Sequence, residues 1–213
     1  MRTWPADWDD RRRGVDCIAC KEGRPDKIPN GQRVFAGRWS DAYLNGDTAA
    51  RGYTLVFWRG RHAADPTDLT AEESCGFAGE VRLVSLGIEG AYQPAKLNYL
   101  TLGNSLPHLH THIVPRYTDD PDPGRPPRFM MADQRWPRIP DDRYAHEVNA
   151  LRAAIEAAQG SCSSRAIRAR SPSTASRRSP RAPPRVPRPA AGVPRGRRSG
   201  GASGRRAATR PRT

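Results

Sequence analysis

The sequence predicts one domain that mixes β-strands with helices and is followed by a tail without regular structure. Three observations support this: a histidine-rich strand between Pro107 and Pro115, a helix with a capping signal at Thr70, and a change of composition at Gly160. A chain of 213 residues is long enough for one domain with a proper core and an appendage.

The basic charge of the chain belongs to the tail and not to the domain. The formal net charge is +14, a value that by itself favours a nucleic-acid-binding protein. However, residues 161–213 contain 15 arginines and no lysine, aspartate or glutamate, which leaves 21 basic and 22 acidic residues in residues 1–160. The domain is therefore nearly neutral, and contact with nucleic acid remains open only for the tail.

The sequence gives no sign of membrane insertion or export. No apolar run approaches the ~20 residues that a membrane-spanning helix needs, and residues 1–16 lack the apolar segment of a signal peptide. We therefore expect a cytoplasmic, reducing location. In such a location cysteines are more typical of free thiols or metal ligands than of disulfides. The chain has four of them: Cys17, Cys20, Cys75 and Cys162.

The N-terminal segment has no periodic pattern, and we predict a flexible arm over residues 1–16. Cys17 and Cys20 follow it in a C-x2-C arrangement. Two thiolates at this spacing can bind one metal ion, most often zinc. The alternative is two unrelated cysteines at the start of an element, and the pair alone does not decide between them.

Two strands are predicted before the first long helix. Residues 33–36 form a short run with strand composition, and residues 53–58 are β-branched and aromatic throughout. The segment between them contains an Asn-Gly-Asp run at residues 45–47, so we predict a turn there. His62 follows the second strand and by itself would be an ordinary surface histidine.

Two helices are predicted from caps and apolar periodicity. Thr70 and Glu73 have capping-box spacing, and the residues that follow form a helix over about 71–88. A last helix is predicted over 144–158, after acidic residues suited to capping. The apolar face of the first helix consists of Phe77, Val81, Val84 and Ile88.

A strand, a tight turn and a second strand are predicted over residues 96–115, which suggests an antiparallel hairpin. Residues 96–102 form its first strand and residues 103–105, Gly-Asn-Ser, form its turn. The second strand is bounded by prolines. Alternate residues of a strand share one face, which places three histidines together: His108, His110 and His112.

Residues 160–213 have the composition of a disordered segment. Arginine, proline, serine, alanine and glycine dominate, and too few apolar residues are present to offset the chain entropy. Two interpretations remain open: a genuine basic tail that binds acidic partners, or the product of a frameshift in a GC-rich gene.

The aligned histidines support two kinds of chemistry. A neutral imidazole is a nucleophile and exchanges protons near pH 7. Attack on phosphorus is suited to a pair of imidazoles, in which one is the nucleophile and the second contacts the phosphate oxygens or the leaving group. Ser105 and the backbone amides of residues 103–105 are placed to bind anionic oxygens. Histidines two residues apart on a strand can instead chelate a metal ion. The residues alone leave both uses open.

Residues 102–117 resemble the signature of the histidine triad (HIT) family. That signature reads His-φ-His-φ-His-φ-φ, where φ is apolar, and many bacterial members continue with Pro-Arg-Tyr, as residues 115–117 do. The resemblance extends from about Cys17 to about Ala158 and excludes the tail. It implies an α+β HIT-like fold with an antiparallel sheet of about five strands, two main helices and a homodimer.

The resemblance also implies a function and roles for individual residues. HIT proteins hydrolyse or transfer nucleotidyl groups at the α-phosphate of dinucleoside polyphosphates or nucleoside phosphoramidates. His110 matches the nucleophile that forms a nucleotidyl-histidine intermediate, and His112 matches the histidine that contacts the phosphate and assists the leaving group. The residues that match the family's substrate contacts are Asn98, Asn104 and Ser105 on the phosphate side, with Tyr43 and Asn45 in the nucleoside pocket.

This chain departs from the family pattern at three positions. Thr111 replaces an apolar residue and Asn104 replaces a common glutamine. Asn45 stands where the family has a ribose-binding aspartate, and its amide would bind a ribose hydroxyl less strongly than a carboxylate does.

Some bacterial HIT members hold a structural zinc ion, and this chain resembles them. Their ligands are a C-x2-C pair, a histidine after the second strand and the first triad histidine, which correspond here to Cys17, Cys20, His62 and His108. Two thiolates and two imidazoles form a closed tetrahedral site that suits structure rather than catalysis. In the other interpretation His108 only packs behind His110 and the cysteines stay free.

Two functional alternatives accompany the enzyme hypothesis. One is a HIT module that binds nucleotides or partners with little turnover, although such a module would not need His110. The other is a metal-dependent enzyme that uses the His-x-His pair, and it would need a further carboxylate or histidine ligand.

Overall fold

The computed structural model describes residues 3–47, 50–121, 123–127 and 136–170. None of the helices in this part of the chain has the length and apolar character needed to cross a bilayer. The elements are, in chain order, α1 (Trp8–Arg12), α2 (Ile18–Lys21), β1 (Lys27–Ile28), β2 (Gly31–Ala36), β3 (Ser40–Asn45), β4 (Thr54–Trp58), α3 (Ala71–Tyr92), β5 (Lys96–Leu100), β6 (His110–Arg116) and α4 (Asp141–Arg170).

The strands form one antiparallel sheet in the order β1-β2-β3-β4-β6-β5. The register aligns His110 with Phe57 of β4, and His112 with Leu55 of β4 and Leu100 of β5. Because facing residues share a side of the sheet, His110 and His112 lie on the same face as Phe57. The architecture is the α+β class predicted from the sequence.

The other face of the sheet packs against the two long helices. A single core cluster joins Val56 and Ile113 of the sheet to Val84 of α3 and Leu151 of α4. The helices approach closely at Gly87, where an added Cβ would lie 2.4 Å from Cγ1 of Ile155. The long helices cover only this face of the sheet, and on the histidine face residues 18–29 leave a cavity over Phe57.

Helix α3 confirms the predicted cap and apolar stripe. The Thr70 hydroxyl accepts from the amide of Glu73, and the Glu73 carboxylate accepts from the amide of Thr70. The helix continues to Tyr92, four residues beyond the predicted end, and stops where Gln93 adopts a left-handed conformation with φ of 50°.

The structure contains a strand between the first two predicted strands, where the sequence analysis predicted only a turn. Residues 40–45 form β3, in which every residue is buried. This segment lacks β-branched residues, and its buried Asp41 resembles a loop residue until its partners Arg24 and Arg59 are known. Together with the two-residue strand β1, β3 gives six strands where about five were expected.

The histidine strand begins later than predicted. β6 starts at His110, so His108 lies in the bend before the strand and not on its face. The strands β5 and β6 pair as expected, but residues 101–109 form a longer connection than the predicted tight turn.

The two terminal segments differ in how much the structure describes. Within residues 1–16 the description starts at residue 3 and includes α1, which has no buried residue. Helix α4 runs to Arg170, ten residues past the predicted domain boundary at 160. The rest of the predicted tail, residues 171–213, lies outside the described residues.

Candidate active site and metal cluster

His110 is held in one orientation by the backbone. Its Nδ1 lies 2.7 Å from the carbonyl oxygen of His108, which can only accept, so Nδ1 donates the hydrogen. Its ring also stacks on Phe57, with centroids 5.1 Å apart. A neutral imidazole carries one hydrogen, and therefore Nε2 of His110 holds the free lone pair.

His112 lies beside His110 and against a buried tyrosine. The two histidine rings have centroids 4.8 Å apart, and Nδ1 of His112 lies 2.5 Å from the hydroxyl oxygen of Tyr53. Burial raises the pKa of the Tyr53 hydroxyl well above its usual range, so this group stays protonated.

The surroundings of both histidines favour the neutral form of the imidazole. Burial lowers the pKa of His112 to about 4, and the neighbouring His110 adds to that effect. Burial also lowers the pKa of His110, against the opposing effect of its hydrogen bond to the His108 carbonyl. A neutral imidazole is the form that acts as a nucleophile.

The residues predicted on the phosphate side lie in β5 and in the connection that follows it. Asn98 is in β5, opposite Val114, and its Oδ1 accepts from Nη1 of Arg116 at 3.0 Å. Asn104 and Ser105 are exposed in the connection between β5 and β6. Ser105 lines a cavity together with Cys17 and residues of the N-terminal arm.

The residues predicted in the nucleoside pocket lie on β3, two positions apart. Tyr43 lines an apolar cavity that also includes Phe57, and its hydroxyl donates to the carbonyl of Pro25 at 2.9 Å. Asn45 is buried, and its Oδ1 accepts from the amide of Asp47 at 2.8 Å. Asn45 is thus already engaged with the backbone and does not line this cavity.

A cluster of four metal-ligand side chains lies next to the histidine strand. One ligand atom from each residue lies within 4.8 Å of all the others, and the four residues are Cys17, Cys20, His62 and His108. Sγ of Cys20 is 3.5 Å from Nδ1 of both histidines, and Sγ of Cys17 is 3.5 Å from Nδ1 of His108. Zinc at its usual distances from sulfur and nitrogen would give a tetrahedral S···N edge of about 3.5 Å.

The backbone orients the two histidines of this cluster. Nε2 of His108 donates to the carbonyl of Trp58 at 3.0 Å, and Nε2 of His62 donates to the carbonyl of Arg12 at 3.1 Å. Both rings then direct the lone pair of Nδ1 toward the sulfur atoms, as metal-ligating histidines usually do. This donor set and its supporting hydrogen bonds fit a structural zinc ion.

The surroundings of the Cys20 thiol favour its protonated form. Burial, together with the neighbouring Cys17 thiol, raises the pKa of Cys20 to about 11. The protonated thiol of Cys20 is therefore its stable form unless a cation replaces the proton.

Three residues near the histidines were not identified as functional from the sequence. Tyr53 and Phe57 appeared only as members of a predicted strand, and Arg59 directly follows that strand. Their signal was the two-residue spacing, which puts all three on one face. That face could be recognised as the site face only once the pairing of β4 with β6 was known.

Comparisons with known proteins agree with this fold. The HIT domain matches residues 32–119. "Protein hit" of Bacillus subtilis is 30% identical over 107 residues, which cover 48% of this chain and 72% of that protein. The crystal structure of a histidine triad protein from Bradyrhizobium japonicum superposes with a TM-score of 0.53 at 25% identity, covering 65% of this chain and 95% of that one.

A second relative has a named activity. Bis(5'-adenosyl)-triphosphatase of Saccharomyces cerevisiae is 29% identical over 91 residues, which cover 40% of this chain. The match spans only 44% of the length of that enzyme. The chain belongs to the HIT family.

Proposed function

We propose that this protein is a nucleotidyl hydrolase or transferase that acts at the α-phosphate of a nucleotide through a nucleotidyl-histidine intermediate on His110. The observation that carries this proposal is the hydrogen bond from Nδ1 of His110 to the His108 carbonyl. It leaves the Nε2 lone pair free on the face of the sheet opposite the two long helices, in a neutral ring that can attack phosphorus.

In the first step Nε2 of His110 forms a bond to the α-phosphorus. The P–O or P–N bond to the leaving group breaks, and its electron pair departs with the leaving group. The attached imidazole keeps its hydrogen on Nδ1, where the His108 carbonyl stabilises the positive charge. Water then attacks phosphorus, and the bond between phosphorus and Nε2 breaks with its electron pair returning to Nε2. The attacking water gives up one proton to the solvent as the nucleoside monophosphate leaves. Another hydroxyl acceptor in place of water makes the reaction a transfer.

His112 acts as a hydrogen-bond donor in this mechanism. The protonated Tyr53 hydroxyl donates to Nδ1 of His112, so the hydrogen of the His112 ring resides on Nε2. Nε2 of His112 can then donate a hydrogen bond to a phosphate oxygen or to the leaving group. Ser105, Asn104 and Asn98 supply further contacts on the phosphate side.

We further propose that the four-residue cluster binds a structural zinc ion. Two thiolates and two imidazoles would leave no open coordination position, so the ion would supply folding energy rather than catalysis. It would tie α2 and the segment after β4 to the start of β6. His108 would thereby be fixed, and with it the carbonyl that orients His110.

The other two interpretations receive less support. Among the described residues, the group close enough to share a metal ion includes His108 but neither His110 nor His112, so a catalytic ion on the His-x-His pair has no ligand set. A binding module without turnover would have no use for the orientation of His110. A homodimer and a cytoplasmic location stay predictions from the sequence.

The proposal is tested by mixing wild type and His110→Ala with diadenosine polyphosphate and with adenosine phosphoramidate. Released AMP and the intact protein mass are measured in parallel. We expect turnover only in wild type, and a mass increase of one nucleotidyl group when the reaction is quenched early. Nucleotide binding without turnover in both proteins would replace the enzyme with the binding module.

A further inference from the structure

A small cavity lies beside the nucleophile. It has a volume of about 210 Å³ and its walls are mostly apolar. Phe57 forms part of one wall and stacks on His110, while Leu106 follows the phosphate-side Ser105 in the chain. Pockets for whole drug-sized ligands measure about 300–1,000 Å³, so this cavity suits a single flat base whose nucleotide phosphate lies at His110.

Two charged side chains line this otherwise apolar cavity: Arg59 and Glu22. The Arg59 side chain is only 11% exposed and is fixed by its neighbours. Its Nε donates to Oδ2 of Asp41 at 2.6 Å, and its Nη2 donates to the hydroxyl of Tyr43 at 3.0 Å. The guanidinium is therefore a donor group of fixed position.

The other two polar side chains of the cavity wall, Tyr43 and Glu22, differ in their capacity for a ligand. The Tyr43 hydroxyl accepts from Arg59 and donates to Pro25, which leaves it little capacity for a ligand. Glu22, at the end of α2, makes no ion pair or side-chain hydrogen bond with any described residue. A bound base would thus meet one fixed donor and one free carboxylate.

We propose that Arg59 and Glu22 select guanine over adenine at the base subsite, an inference that rests on the proposed nucleotide-binding function. Arginine pairs with O6 and N7 of guanine. A carboxylate can accept hydrogen bonds from N1–H and from the exocyclic N2 amino group of guanine. Both donors lie on the Watson–Crick edge, adjacent to O6. Adenine would turn its N6 amino group toward the guanidinium, donor against donor, and would offer the carboxylate no N1–H.

Equilibrium binding of GMP and AMP by calorimetry tests the inference without requiring turnover. We expect wild type to bind GMP at least about tenfold more tightly than AMP, in line with the discrimination of one bidentate pair. The variants Glu22→Gln and Arg59→Lys should each lose most of that preference through weaker GMP binding, while the affinity for AMP changes less than about threefold.

Two matched controls accompany these variants. Arg24→Lys alters the other arginine that donates to Asp41, and Arg24 does not line the base cavity. Asp26→Asn removes a nearby carboxylate that pairs with Arg33 outside the cavity. Both should keep the preference of wild type. Glu22 is exposed, so Glu22→Gln should fold normally even if the change at half-buried Arg59 lowers stability.

Each remaining outcome overturns the inference. Equal affinity of wild type for GMP and AMP refutes guanine selection but leaves the nucleotidyl transfer proposal standing, whereas no binding of either nucleotide refutes both. A preference for GMP that persists in Glu22→Gln and Arg59→Lys, or that disappears equally in Arg24→Lys, removes these two residues as its cause.

Discussion

His108 and His110 lie two residues apart, yet their surroundings assign them opposite tasks. His108 uses Nε2 to bind the carbonyl of Trp58 and directs Nδ1 toward two sulfur atoms. His110 uses Nδ1 to bind the carbonyl of His108 and leaves Nε2 open. In each ring the backbone acceptor selects the nitrogen that keeps the hydrogen, and the opposite nitrogen becomes the functional one.

The metal-ligand cluster influences the orientation of His110, but His110 does not hold the cluster together. The carbonyl that orients His110 belongs to His108, a member of the metal-ligand cluster. Disturbing the cluster should therefore disturb the nucleophile, whereas removing the imidazole of His110 should leave the cluster intact. The following predictions test this asymmetry, from the largest expected effect to the smallest.

The largest effect is expected for His110→Asn. Removing the nucleophile should lower kcat for release of nucleoside monophosphate by at least about 10⁴-fold. The zinc content, measured by mass spectrometry of the metal, and the free energy of unfolding should stay close to those of wild type. Residual turnover within tenfold of wild type would contradict the role of His110.

Loss of a sulfur ligand should have the next largest effect. Cys20→Ser should lose zinc and lower the free energy of unfolding by at least about 3 kcal/mol, because the folded state no longer gains the binding energy of the ion. Urea unfolding and metal analysis measure both quantities. Cys75→Ser is the control, since Cys75 is exposed on α3 and outside the cluster. If the two serine variants hold equal zinc and unfold alike, the cluster is not a metal site.

The lowered pKa of His112 predicts a pH dependence of stability. Between its ordinary value of 6.5 and its folded value of about 4, the unfolded chain binds a proton at His112 that the folded protein does not. The contribution of His112 to the free energy of unfolding is therefore fully present above pH 6.5 and is lost as the pH falls toward 4. We expect a loss of about 1–3 kcal/mol over this window, since partial solvent access reduces the full value.

The comparison of His112→Asn with His146→Asn isolates this contribution. His146 is exposed on α4, so its replacement should leave the pH dependence of wild type in place. Unfolding by urea at a series of pH values should give a flatter profile only for His112→Asn. Parallel profiles for all three proteins would refute the assignment.

The smallest effect is expected for Tyr53→Phe. Removing the hydroxyl deprives Nδ1 of His112 of its donor and frees the ring to place its hydrogen on the wrong nitrogen. A buried acceptor without its partner costs about 1–3 kcal/mol, so kcat should fall by about tenfold or more. Tyr99→Phe, on the exposed part of β5, should have no effect on kcat. An unchanged kcat in Tyr53→Phe would remove Tyr53 from the mechanism.

Much of the fold was predictable because local signals were strong. The capping box at Thr70 and the apolar stripe of α3 are set by neighbours within the same helix, and the structure confirms them. β3 was missed because its stability depends on distant partners: Asp41 is fully buried only because Arg24 and Arg59 neutralise it. A buried carboxylate cannot be distinguished from a loop carboxylate by sequence spacing.

The candidate site also combines features that the sequence predicted with features that depend on distant residues. Two-residue spacing correctly placed His110 and His112 on one face, but it also placed His108 there, and the structure puts His108 in the preceding bend. The carbonyl of Trp58, 50 positions earlier in the chain, is what holds the His108 ring. Nothing near His108 in the sequence carries that information.

The sequence by itself determined which residues carry the chemistry and which family the chain resembles, because both depend on residue types at fixed spacing. Only the tertiary structure decided the orientation of each imidazole, the assembly of the four metal ligands and the pairing of Arg59 with Asp41. The physical reason is that hydrogen-bond direction and the burial of charge depend on groups brought together from distant parts of the chain.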